Sequence, residues 1–190
     1  MIDFLNDISN CLSVLQDGGI ILYPTDTIWG IGCDATNETA VAKIFVLKKR
    51  AEEKSMIVLM EDEKDIIQYI VQPDLSVIDY LHTVTKPTTV IYEGATGLAE
   101  NVLNCDGSVA IRITHDPFCK LLIKKFKKPI VSTSANVSGC SPPATFSFIT
   151  DEIKNGIDYI VQHRQDDFVT AAPSAIIKWN KNGTMTIIRK

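Results

Sequence analysis

The 190-residue chain is short of several features, and each shortage excludes something. No stretch approaches the ~18 consecutive apolar residues of a membrane-spanning helix. The opening Met1-Ile2-Asp3-Phe4 has neither the charged n-region nor the long apolar h-region of a signal peptide, so no export signal is expected. Five cysteines (Cys11, Cys33, Cys105, Cys119, Cys140) are an odd number at wide, irregular spacing, with no Cys-x-x-Cys pair. Only three histidines accompany them (His82, His115, His163), so no zinc-ligand pattern forms and no metal site is expected. The thiols are expected to be free and buried, in a reducing, cytoplasmic setting, with Cys140 beside its glycine the most reactive. There is no Gly-x-x-x-x-Gly-Lys-Ser/Thr, no Gly-x-Gly-x-x-Gly and no Gly-x-Ser-x-Gly. A nucleotide-using enzyme of this sequence would have to hold phosphates with scattered cations and hydroxyls. The net charge of −4 rules out a globally basic nucleic-acid binder.

What is present is a chain that is 45% apolar, enough for a full core, with no internal repeat, linker or low-complexity segment. One domain over 1–190 is expected. Helices are predicted over 3–17 (Asp3 as cap; Leu5, Ile8, Leu12 and Leu15 on one face; Gly18 as stop), from the Asn37 cap to about Lys48, and over 62–70 and 74–83. Others run from the Asp116 cap to about Phe126 and over 146–154. Strands are predicted over 20–23, 56–60, 88–92, 109–113, 129–133, 157–161, 174–179 and 185–189. The last two flank an Asn-Lys-Asn-Gly turn, a hairpin signal, so the sheet should be mixed rather than purely parallel.

Three stretches can carry chemistry. Gly18-Gly19-Ile20-Ile21-Leu22-Tyr23-Pro24-Thr25-Asp26-Thr27-Ile28-Trp29-Gly30 is an apolar strand that breaks into hydroxyls and an acid. It is either a ligand floor or an ordinary strand–turn connection; Asp26 and Trp29 fit a turn-shaping role. Lys48-Lys49-Arg50 ends a helix, where i and i+2 do not share a face. Lys48 and Arg50 can act together on an anion only if the helix unwinds there; the alternative is cations set against the helix dipole. Ser132-Thr133-Ser134-Ala135-Asn136-Val137-Ser138-Gly139 follows a buried strand, and its amides and hydroxyls can hold phosphate oxygens or form a plain polar turn. A second lysine cluster, Lys120, Lys124, Lys125, Lys127 and Lys128, reads as a solvated helix face.

In this order and spacing, Tyr23-Pro24-Thr25-Asp26-Thr27-Ile28-Trp29-Gly30-Ile31-Gly32-Cys33-Asp34-Ala35, then Lys48-Lys49-Arg50, then Ser132 to Gly139, resemble the YrdC/TsaC family of threonylcarbamoyl-AMP synthases. Val109-Ala110-Ile111-Arg112 and Pro173-Ser174-Ala175-Ile176-Ile177 look like two further family elements. The resemblance implies an α/β fold: a twisted open mixed sheet with flanking helices and a large concave cavity. It implies that L-threonine, bicarbonate or CO2, and ATP give threonylcarbamoyl-AMP and pyrophosphate, for threonylcarbamoyladenosine modification of tRNA by downstream proteins. Mg²⁺ is expected on the phosphates, without an all-protein cage. By the same resemblance Thr27, Arg112, Ser132 and Ser174 bind threonine, and Lys48 and Arg50 are catalytic. Lys54, Ser134, Asn136 and Arg189 bind ATP. Leu59 stands where many members carry a histidine that touches threonine. Two other readings are an RNA-binding module of this fold and a paralogue acting on a different carbamoyl or adenylate substrate.

Overall fold

The computed structural model describes residues 4–50, 56–179 and 184–190. The first helix, α1 (Leu5–Gln16), starts at Phe4 without a side-chain cap, and Asp3 lies outside the described residues. Its inward face is Asp7, Ile8, Cys11 and Leu15, whereas Leu5, expected on that face, is 49% exposed. The face is turned because buried Asp7 is an anchor. Its carboxylate accepts from the Tyr159 hydroxyl at 2.6 Å, the Gln162 N–H at 3.0 Å and the His163 N–H at 2.9 Å. Gly18, at φ +70°, then ends the helix in a conformation that favours glycine.

The chain next forms β1 (Ile21–Tyr23), which pairs antiparallel with β2 (Gly30–Gly32). A strand made of Gly-Ile-Gly carries almost no pattern, and sequence reasoning missed it. Gly32 is there for space. A Cβ on Gly32 would stand 2.6 Å from the Val131 carbonyl oxygen and 2.7 Å from the Tyr23 ring. Helix α2 (Glu38–Lys48) is capped as expected, Asn37 accepting from the Ala40 N–H at 3.1 Å. It stops at Lys48 because Lys49 is left-handed, at φ 49°. Strand β3 (Ile57–Met60) follows, then α3 (Ile66–Tyr69) behind a 3₁₀ turn, α4 (Ser76–Thr83), β4 (Thr88–Tyr92) and β5 (Val109–Ile113). Asp116 caps α5 (Pro117–Phe126) by accepting from the Cys119 N–H, and β6 (Ile130–Ser134) comes next. The helix expected over 146–154 is a 3₁₀ turn and a short α6 (Asp151–Asn155), parted where Thr150 is extended. Strands β7 (Tyr159–Ile160), β8 (Ala175–Trp179) and β9 (Met185–Arg189) complete the chain.

One nine-stranded sheet results, in the order β7-β1-β2-β6-β3-β5-β4-β8-β9. It is mixed: β1–β7, β3–β5 and β4–β8 are parallel and the other pairings antiparallel. The expected β8–β9 pairing forms, though its turn lies outside the described residues. Helix α1 packs on α5, where the Phe4 and Phe118 rings meet edge-on at 5.4 Å. No helix among the described residues is long and apolar enough to cross a membrane. All five cysteines are free; Cys11, Cys33 and Cys119 are buried, but Cys105 is exposed as well as Cys140.

Candidate active site

Strand alternation sends residues i and i+2 to the same face. Ser132 and Ser134 on β6, Ile57 on β3, Ala110 and Arg112 on β5 and Ile176 on β8 thus share a concave surface. Together with the 27–30 turn, Arg50 and the 173–174 segment they line a cavity of about 390 Å³. That size lies within the ordinary range for a small-ligand cleft.

The 25–28 turn is held by its own hydroxyls. Thr25 Oγ1 donates to the Ile28 carbonyl at 2.8 Å, and accepts from the Thr27 N–H at 3.0 Å. Its single proton is therefore spent, so in the 3.0 Å contact between the two hydroxyls Thr27 is the donor. Thr27 Oγ1 then has only lone pairs left for the cavity, which suits a ligand N–H or O–H. Gly30 comes from the next strand; a Cβ there would meet Ser132 Oγ at 3.1 Å. Trp29, also on the cavity wall, packs against Phe146, ring centroids 4.8 Å apart.

Three guanidiniums reach the cavity wall: Arg50, Arg112 and Arg189. Arg112 rises from the middle of the sheet and is only 4% exposed; its Nη2 is 3.1 Å from Asp26 Oδ1, and its buried Nε has no hydrogen-bond partner. Arg189 donates through Nε to the Ser174 carbonyl at 3.0 Å and lies 3.4 Å from the Ser174 hydroxyl, which itself meets Thr89 Oγ1 at 2.8 Å. Burial and then the nearby Arg112 charge lower the Arg189 pKa; burial lowers that of Arg50. Among the described residues the wall carries no Asp or Glu, so its field favours an anion.

Lys48 is placed differently from expectation. The helix ends there, as a joint role with Arg50 requires, and exposed Lys49 turns away to pair with Glu152 at 2.6 Å. Yet Lys48 is 1% exposed and is not part of the cavity wall. Its ammonium donates to the carbonyls of Ser134 and, at 2.6 Å, Asn136, while the Ser138 N–H donates to the Lys48 carbonyl at 2.7 Å. Burial, then the charge of Arg50, lowers its pKa to about 8. Asn136 also stands off the wall. The extended stretch stops at Ser134, the chain turns, and the Asn136 amide donates to the Val137 and Cys140 carbonyls at 2.9 and 2.8 Å. Its Oδ1 is buried without a partner.

The cavity therefore gathers Thr27, Arg50, Arg112, Ser132, Ser134, Ser174 and Arg189. Lys48 and Asn136 are braced against each other behind it, and Lys54 lies outside the described residues. Leu59, in register with Arg112 on the neighbouring strand, is fully buried and does not reach the wall. Sequence reasoning gave Asp26 a turn-shaping role, whereas its carboxylate pairs with Arg112 and meets Thr114 and His115. The available signal was Arg112 itself, a charge in an apolar strand that has to find a counter-charge. The second lysine cluster is elsewhere; there Lys124 pairs with Glu61 at 3.7 Å and Lys128 with Asp34 at 2.7 Å.

The Sua5/YciO/YrdC family model, which carries the description telomere recombination, matches residues 13–190. The threonylcarbamoyl-AMP synthase of Vibrio campbellii is 31% identical over 152 residues, covering 78% of this chain and 82% of its own. That of Coxiella burnetii is 29% identical over 164 residues, covering 85% and 88%. Among solved structures, P. abyssi Sua5 complexed with L-threonine superposes with a TM-score of 0.84 at 19% identity, over 96% of this chain and 53% of that one. E. coli YciO superposes with a TM-score of 0.83 at 18% identity, over 97% and 89%. At these identities the structural likeness is one of fold. The chain spans about half the length of the P. abyssi protein.

Proposed function

The chain belongs to the Sua5/YciO/YrdC family, and on that footing we propose that it is a threonylcarbamoyl-AMP synthase, joining L-threonine, CO2 or bicarbonate, and ATP with release of pyrophosphate. One observation carries the reading most: three guanidiniums converge on a single cavity whose described wall has no acid. The reaction brings together a carboxylate, a carbamate and a triphosphate, all anionic, so a cationic wall is its first requirement.

The threonine amine attacks CO2, giving a carbamate and a proton. A carbamate oxygen then attacks the ATP α-phosphorus, and the bond to the β-phosphate bridging oxygen breaks. No protein nucleophile is needed. In this reading Arg112 takes the threonine carboxylate, the free lone pairs of Thr27 accept from the amine, and Ser132 and Ser174 line the pocket. Arg50 and Ser134 face the phosphates and Arg189 the nucleotide. Charge that builds on the phosphoryl oxygens is met by cations already in place, an effect worth roughly 10²–10³ in rate per contact. Lys48 serves this site from behind, holding the Ser134–Asn136 backbone that faces the phosphates. Lys54 and Asn136 are ATP-binding residues in the same reading.

The described wall offers hydroxyls and guanidiniums but no carboxylate, a donor set that does not fit a protein-held Mg²⁺. A divalent ion here arrives as part of the ATP complex. The adenylate feeds downstream tRNA-modification proteins, in a cytoplasm that the five free thiols suit. Residues 1–190 act as one YrdC-like domain, a reading supported by one sheet running from Ile21 to Arg189. The test is pyrophosphate release from ATP with threonine and bicarbonate supplied together or singly. Release only with both supports the assignment, and release that ignores threonine overturns it.

A further inference from the structure

We propose that Asp26 is the positioning residue for Arg112, holding its guanidinium so that its remaining N–H groups meet the carboxylate of the amino-acid substrate. This rests on the functional reading above.

Arg112 is almost wholly buried in a central strand, between apolar neighbours, and a buried guanidinium needs a fixed counter-charge. Asp26 Oδ1 provides it at 3.1 Å as an ion pair without hydrogen-bond geometry, the buried Oδ1 having no hydrogen-bond partner, and this is the ion pair formed by Arg112 among the described residues. Asp26 is itself anchored, being 12% exposed in its side chain. Its second oxygen, Oδ2, lies 3.3 Å from the His115 N–H and 3.5 Å from the Thr114 hydroxyl, both just past the end of Arg112's own strand. The carboxylate thus bridges the β1–β2 turn to the end of β5 and sets where the guanidinium lies relative to Thr27, its neighbour in sequence. Nη2 is the guanidinium nitrogen that Asp26 pairs with. The buried Nε has no partner, and Arg112 still forms part of the cavity wall. A guanidinium paired to a carboxylate at one nitrogen and still lining a cavity is arranged to take a planar anion. Asp26 is not itself part of that wall, so it acts through Arg112.

The experiment compares wild type, Asp26→Asn, Arg112→Gln and the double variant. Dissociation constants for ATP and kcat/KM for threonine are measured on each. Asn keeps an oxygen for the His115 N–H but removes the charge that orients Arg112. Asp26→Asn is expected to lower kcat/KM for threonine about tenfold or more and to leave the ATP dissociation constant within about twofold. With Arg112 already replaced by Gln, Asp26→Asn should cause less than about a twofold further loss. An unchanged kcat/KM in Asp26→Asn, equal losses in both backgrounds, or lost ATP binding would each overturn the inference. A wild-type protein with no threonine-dependent turnover would overturn the functional reading and this inference with it. Wild-type turnover with an unaffected Asp26→Asn overturns the inference alone.

Discussion

The Lys48 ammonium donates to the Asn136 backbone carbonyl at 2.6 Å, so the end of the second helix is stitched to the loop that follows β6. The Ser134 carbonyl takes a second bond from the same ammonium, and the Ser138 N–H returns one to the Lys48 carbonyl. Lys-x-Arg and Ser-x-Asn, nearly ninety residues apart, are in this way one unit. Arg50 and Ser134 form its outer surface and Lys48 and Asn136 its inner brace.

Replacing the brace should therefore cost stability as well as rate. Lys48→Met keeps the length of the side chain but leaves the Asn136 carbonyl without its donor and takes one of two donors from the Ser134 carbonyl, which still accepts from the Asn136 N–H at 2.9 Å. A buried polar group left unmade costs about 1–3 kcal/mol. Urea unfolding should show a loss of about 2 kcal/mol or more with an unchanged m-value. Stability equal to wild type would mean the ammonium does not hold this loop.

The same lysine gives a pH signature. Its folded-state pKa is near 8, against an ordinary 10.5, chiefly through burial. Between those values the unfolded chain holds the proton and the folded protein does not, so folding releases it. The cost of burying the charge is present in full below about pH 8 and is relieved as the pH rises toward 10.5. The stability difference between wild type and Lys48→Met should change in favour of wild type over that window, by up to about 1.4 kcal/mol per pH unit. A difference that is flat from pH 7 to about 10 would contradict it.

The two glycines of β2 should respond in opposite ways. Gly32→Ala drives a Cβ into the Val131 carbonyl at 2.6 Å and the Tyr23 ring at 2.7 Å, neither of which can move freely. Overpacking of this kind costs about 1–3 kcal/mol, readable in the urea midpoint. The tightest contact of Gly30→Ala is the Ser132 hydroxyl at 3.1 Å, inside the cavity, with the Thr133 carbonyl and the Thr25 methyl at an ordinary 3.6 Å. It should unfold like wild type and raise KM for the substrates. Equal effects on stability would contradict this division.

Where residues announce their surroundings, the sequence could be read. Asn37 and Asp116 precede apolar periodicity and do cap helices. The apolar strands β4 and β5 fall where their runs predict. The gathering of Thr27, Arg112, Ser132 and Ser174 was reachable only through family resemblance, since it depends on strand order and not on local pattern. Three things were illegible for physical reasons. Gly30-Ile31-Gly32 pairs as a strand with β1 and β6, but Gly32 is there because Tyr23 and the Val131 carbonyl leave no room for a Cβ, a tertiary constraint with no local pattern. The face of α1 is set by Asp7, a polar residue that hydrophobic periodicity discounts. Lys48 carries the charge expected of a catalytic lysine, but only packing shows that its ammonium is engaged by carbonyls.

In the proposed reaction one cavity joins threonine, CO2 and ATP. Bicarbonate labelled at carbon tests it most directly, by following label into a nucleotide-linked product alongside pyrophosphate. One labelled carbon in the adenylate is expected for each pyrophosphate released, and none when threonine is left out. Pyrophosphate without label in the nucleotide, or labelling that does not depend on threonine, would contradict it.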